Sequence, residues 1–252
     1  MERYQQLDAG GPTVHFVTGD EASARVLAAA TIDTAKVVKD RWHLTVPPGC
    51  RLYVLTDWED FLEHATPRHL RLAMKLTKPL WRGRVERTFA LAGGWTVPWR
   101  GRPTVAVKPA RDLPPSESSL GSRLFEPLSD PVERVRHLTC HEFTHACTAH
   151  LSLPAWLNEG LAMRAVDHLA GRQTVLEESR GLVIADPSKV DGHAYRRVSG
   201  RDHDALLRLY ATGYWTLRRL EEEHPRVLMR LLERRRRPKM VTREVRSLLR
   251  PV

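Results

Sequence analysis

The run CHEFTHACTAHLSLPAWLNEGLA, residues 140–162, decides how this chain is read. Its first six residues contain His141, Glu142 and His145. Two histidines four apart on a helix share one face, about one turn apart, so both imidazoles can reach a single cation. Zinc suits two imidazoles and a carboxylate and leaves a position for water. Glu142 sits beside His141 and can reach that water rather than the metal, which makes it the expected general base. Glu159 follows fourteen residues after His145. The segment from His150 to Leu153 can turn the chain back, so that Glu159 on a second helix faces the two histidines. An interior glutamate needs such a partner, because burying a bare carboxylate is costly. Gly160 beside it lets the two helices approach closely. The expected site is therefore one Zn2+ ion on His141, His145 and Glu159, with Glu142 as base.

Helix signals frame this run. Asp130, Pro131 and Glu133 supply a cap, a first-turn proline and an early acid, which predicts a helix over 131–149. A second start at Ser152, with Pro154 near its first turn, predicts a helix to about Ala170, before Gly171. Residues 203–223, 225–236 and 241–250 read as three further helices.

HEFTH followed by LPAWLNEGLA resembles the peptidase MA-like family of the gluzincins, zinc proteases with two histidine ligands and a glutamate ligand on the next helix. His141, Glu142 and His145 match its His-Glu-x-x-His motif, and Leu153, Pro154, Trp156, Leu157, Glu159, Gly160 and Ala162 match its second motif. VHFVTGDE, RLYVLTDWEDF and VAVKP resemble the family's N-terminal sheet elements more weakly, and the stretch from Tyr210 to Leu220 resembles its C-terminal Tyr-Ala-x-x-Tyr segment. The resemblance implies an α+β fold. A small mixed sheet with helices would span 1–130, and a mainly helical part 131–252, as subdomains of a single catalytic domain. It implies an extended peptide or protein substrate pairing with an exposed sheet edge, for which TVAVK, 104–108, is the candidate. It also directs the search for an oxyanion donor to Tyr210 and Tyr214, with Tyr214 preferred. One departure stands out. Gluzincins often carry an acid four residues after the ligand glutamate, where this chain has Met163. The acceptor that orients a metal-bound imidazole would then come from Asp167, Asn158 or a backbone carbonyl. His193 and His203 are further proton-donor candidates. His137, four residues before His141, shares its face, but the His-Glu-x-x-His register is already full; His150 and His168 lack ligand spacing.

Upstream, TVHFVT (13–18) and RLYVLT (51–56) read as strands, with a helix from Asp20 or Ser23 to about Lys39 between them. Asp57–Leu62 opens a short helix, 68–80 fits no element, and 85–109 reads as short β-prone pieces: VERTFAL, GGWTVPW and RPTVAVKP. Residues 110–131 form a long Pro-, Ser- and Glu-rich loop, a candidate rim or lid.

Across its 252 residues the chain is 42% hydrophobic and 28% charged, a globular composition. Three cysteines do not describe a disulfide scaffold and fit a reducing compartment. With no apolar run of membrane-spanning length and no secretory leader pattern, the expectation is a cytoplasmic protein without membrane contact. The net charge is +10, with Arg218, Arg219, Arg226, Arg230 and ERRRRPKM (233–240) forming a basic C-terminal region. This keeps open a nucleic-acid-associated protease, although aromatics for base stacking are missing there. The other alternative is an inactive zinc-stabilised binding protein. Glu221, Glu222 and Glu223 read as surface charges.

Overall fold

Val14 and Phe16, Leu52 and Val54, and Val105 and Val107 recur with a period of two and are all buried, so each pair points from its strand to one face of a common sheet. The computed structural model describes residues 4–99, 102–113, 120–190 and 203–249. Its sheet has five strands: β1 (Gln5–Asp8), β2 (Thr13–Phe16), β3 (Arg51–Val54), β4 (Gly94–Trp99) and β5 (Arg102–Val107), in the order β1-β2-β3-β5-β4. β2, β3 and β5 run parallel, and β1 and β4 pair antiparallel at the two edges. The fold is α+β, as the sequence implies.

Eight α-helices are present among the described residues: α1 (Glu21–Trp42), α2 (Trp58–Ala65), α3 (Arg71–Leu91), α4 (Pro131–Thr148), α5 (Ala155–Ala170), α6 (His203–Glu223), α7 (Pro225–Leu232) and α8 (Pro238–Leu248). One sheet face presents Val14, Leu52, Val54, Val105 and Val107 to the main core, which takes Leu27 and Val38 from α1 and Cys140 and Phe143 from α4. The opposite face presents Tyr53 and Ala106 to a smaller cluster with Phe61 of α2 and the partly buried Phe89, Trp95 and Val97. The sheet is thus a partition, with α1 and α4 on one side and α2 and α3 on the other.

Two expectations are corrected here. Segment 104–108 is not an edge: Arg51–Val54 pairs with Thr104–Val107 on one side, and Gly94–Trp99 pairs with Arg102–Val107 on the other. Its near-continuous burial is what a strand covered on both faces and both edges shows. The edge on that side of the sheet is β4. VERTFAL, 85–91, is also not a β-prone piece, and 68–80, which fits no element by sequence, belongs with it. They form a short 3-10 turn and then α3, whose Met74, Thr77, Trp81 and Val85 follow a helical stripe. Pro79 lies inside this helix and hides it from a reading in which proline stops helices. β1, a polar QQLD strand, gave no apolar alternation to find.

The helices that carry the His-Glu-x-x-His run and the segment after it obey their sequence signals more closely. The Asp130 carboxylate accepts from Val132 N at 2.8 Å to cap α4. α5 begins after Pro154, while Ser152 takes a left-handed φ of 54° in the turn before it. Gly171, with φ 67°, closes α5. α5 and α6 cross in near backbone contact. A Cβ on Gly160 would lie 2.4 Å from Gly213 O, and one on Gly213 2.2 Å from Trp156 O. Only glycine fits either position. α7 is shorter than expected and α8 begins earlier, at Pro238 rather than Val241; each begins with a proline in its first turn. The second part of the long loop is anchored rather than lid-like: Leu124 is buried with Met163, Val175 and Tyr214, and Phe125 bridges to Val175.

Candidate metal centre

His141 and His145 project from α4, and Glu159 from α5 at the facing position. The three side chains approach each other nearly evenly. His141 Nε2 lies 3.2 Å from His145 Nε2 and 3.2 Å from Glu159 Oε2, and His145 Nε2 lies 3.2 Å from Glu159 Oε1. Metal–ligand arms of ~2.1 Å at tetrahedral angles give ligand–ligand separations of about 3.3–3.4 Å. The spacing therefore matches a shared cation and leaves a fourth direction for another ligand. Glu159 Oε2 is buried and, apart from the His141 ring 3.2 Å away, meets no donor. This buried cluster could hold a metal ion.

Electrostatics agree with the geometry. Burial alone would keep His145 neutral, but the Glu159 carboxylate outweighs it, helped by Glu142 and Asn158, and the imidazole is raised to about 9. Burial alone would likewise raise Glu159, but the His145 and His141 imidazoles hold it well below the usual carboxylate range. The site stabilises a carboxylate facing positive charge, whether that charge is carried by protons or by a metal.

Glu142 leaves α4 in a different direction and meets the edge strand. The Thr96 hydroxyl lies 2.7 Å from Glu142 Oε2 and 2.8 Å from the Glu142 carbonyl oxygen, its single hydrogen shared between them. The strand can come this close because Gly94 has no side chain: a Cβ there would stand 2.6 Å from Glu142 Cγ. Gly94 and Thr96 face α4, and Trp95 and Val97 face the opposite side of the sheet. Neither Gly94 nor Thr96 was singled out from the sequence; they lie more than forty residues from Glu142, and nothing local in GGWT marks them.

The two tyrosines separate cleanly. The Tyr210 ring centroid is 6.3 Å from that of His141, the planes tilted by 55°. Tyr214 is fully buried, and its hydroxyl donates to Asp167 Oδ2 at 2.6 Å. Burial and the Asp167 carboxylate push the Tyr214 phenol up, which holds its proton in place. The preference for Tyr214 as oxyanion donor is thus corrected: a buried phenol needs a partner, Asp167 supplies it, and Tyr210 is the tyrosine beside the histidines.

Asp167 is likewise committed elsewhere. Its Oδ1 accepts from Thr174 N and Oγ1 at 2.8 and 2.7 Å, and its Oδ2 also accepts from Arg164 Nη1 at 2.7 Å. Arg164 Nε donates to Glu221 Oε2 at 2.6 Å, and Trp42 Nε1 to Glu221 Oε1 at 3.1 Å. Glu221 is therefore an interior member of a polar chain joining α1, α5 and α6, not a surface charge. Asn158 lies beside His145, and its Oδ1 accepts from Thr148 Oγ1 at 2.7 Å. Met163 is buried in the apolar cluster around Tyr214, so its position is used for packing. His137 pairs with Glu133, and His168 with Glu221. His203 is the first residue of α6; His193 lies outside the described residues. In the basic region, Arg218 and Arg219 pair with Glu222 and Glu223, while Arg230 and Arg236 share Glu244.

No protein-family model matches this chain, and no curated protein matches it. Among the described residues, no helix is long and apolar enough to cross a membrane.

Proposed function

We propose that this chain is a zinc-dependent metallopeptidase of the gluzincin type that hydrolyses peptide bonds in an extended substrate laid along β4. The observation that carries this reading is the division of labour on α4. His141 and His145 converge with Glu159 at 3.2 Å spacings, while Glu142, next in sequence, points to the edge strand and is held there by Thr96. Two imidazoles and one carboxylate with an open fourth direction is a catalytic zinc donor set. Bound zinc supplies Lewis acidity and lowers the pKa of a water toward about 7. Glu142 takes the proton from the attacking water and returns it to the leaving amine. Tyr210 donates to the oxyanion that forms at the scissile carbonyl. The outer edge of β4, with no strand beyond it among the described residues, offers backbone groups to an extended peptide.

A zinc-stabilised binding protein without turnover is the second reading. It is favoured by Met163, which leaves no acid four residues after Glu159. One experiment addresses both. Metal analysis of the purified wild type is expected to give one zinc per chain, and Glu159→Ala is expected to lose it; unchanged zinc in Glu159→Ala would sink the ligand scheme. Glu142→Gln is expected to keep zinc and lose hydrolysis of a mixed peptide library, read by mass spectrometry. A wild type that holds zinc and cuts nothing would leave the binding reading in its place.

A further inference from the structure

The layer of α2 and α3 on the far side of the sheet does not close against β4. A groove of about 390 Å³ runs between them. Its walls include Met74, Trp81 and Val85 on one stripe of α3, Leu70 just before that helix, Leu62 of α2, and Val97 of the edge strand. No residue of α3 with a described side chain is fully buried, so this stripe reaches the sheet without being covered by it. A cleft of this size with apolar walls is in the range of side-chain and ligand sites.

Its position relative to the metal centre follows from the pleat. Thr96 points from β4 to Glu142, and its neighbours Trp95 and Val97 point to the α3 side. A peptide strand added to the free edge of β4 continues the same pleat. Side chains on one face of that peptide then lie on the Glu142 and metal side. Those at the alternate positions lie beside Val97, which lines the groove.

We propose that this groove is a specificity subsite, selecting extended peptides with a large aliphatic or aromatic side chain at the positions that alternate with those facing the metal centre. The proposal rests on the peptidase reading and names its substrate class: strand-forming segments with an apolar face. Polar-faced segments lose the burial and are bound less well.

The test uses the zinc-loaded full chain carrying Glu142→Gln, so that peptides are bound but not cut, and end-labelled octapeptides of alternating leucine and serine or of serine alone. The leucine peptide is expected to bind about tenfold tighter or more, by fluorescence anisotropy. Ala73 and Thr77 line the groove from exposed positions of α3, so Ala73→Trp and Thr77→Trp fill it with little threat to folding. In either variant the leucine preference is expected to fall to about one, with zinc content and melting temperature unchanged. A preference that persists in both would overturn the subsite. So would a change in oligomeric state in place of a change in preference, which would make the groove a self-contact. Cleavage of both peptides by the wild type at equal rates would remove the subsite and leave the peptidase standing. Neither binding nor cleavage of any peptide would remove the peptidase reading, and the subsite with it.

Discussion

At the scale of single residues, the candidate site depends on a contact the sequence does not advertise. Thr96 donates to the carboxylate of Glu142 at 2.7 Å and holds it against the edge strand. Thr96→Val removes the donor and keeps the shape. The expected outcome is a kcat lower by roughly tenfold, since losing a hydrogen bond to a charged group costs about 1.5 kcal/mol and leaves the base unoriented. KM and zinc content should stay unchanged. An unchanged kcat would mean that Thr96 only supports the strand. His141, Glu142, His145 and Glu159 were legible because spacing on a helix and a following helix start are local facts. Gly94, Thr96 and the Asp167 hub were not, because each acts across the fold on a residue distant in sequence. The choice between Tyr210 and Tyr214 turned on position: the Tyr214 hydroxyl is buried on Asp167, and the Tyr210 ring lies beside His141.

At the scale of elements, helices with capping and first-turn signals read well, and α4 and α5 fall within a few residues of expectation. The misread elements share a cause: their environment overrides their composition. α3 carries an internal proline and β-branched residues yet remains helical. β5 alternates like an edge strand, but β3 and β4 flank it on both sides. The α5–α6 pair is the most sharply specified contact. Because a Cβ on Gly213 would stand 2.2 Å from Trp156 O, Gly213→Ala must push the helices apart. The expected cost is about 2–3 kcal/mol, seen as a lower urea midpoint at unchanged slope, with weaker zinc retention because Glu159 is carried on the displaced helix. An alanine variant as stable as the wild type would show that the crossing is looser than drawn here.

At the scale of the whole molecule, the sheet separates two chemical environments, and one consequence concerns pH. On the face opposite the metal centre His15 stacks on Tyr53, ring centroids 4.7 Å apart. Burial first, then the positive charges of Arg51 and His64, lowers it from 6.5 to about 4. The folded state therefore binds the proton less readily than the unfolded state. Its contribution is fully present above about pH 6.5 and is lost as pH falls toward 4. His15→Gln is expected to flatten the fall in unfolding free energy over that window; an identical slope in both proteins would remove His15 as its source.

The contact between Gly160 and Gly213 has a last, mechanical meaning. Two backbones that touch with no side chain between them cannot slide closer, and neighbouring side chains cannot shim the gap. Such a point behaves as a fulcrum. When α5 and α6 rock, displacement grows with distance from it. Glu159 is the residue next to Gly160, and Tyr210 lies within one turn of Gly213. The two groups proposed to hold the metal and steady the oxyanion thus sit where rocking moves atoms least, and the Arg164–Glu221 and Trp42–Glu221 bonds limit the swing toward the far ends.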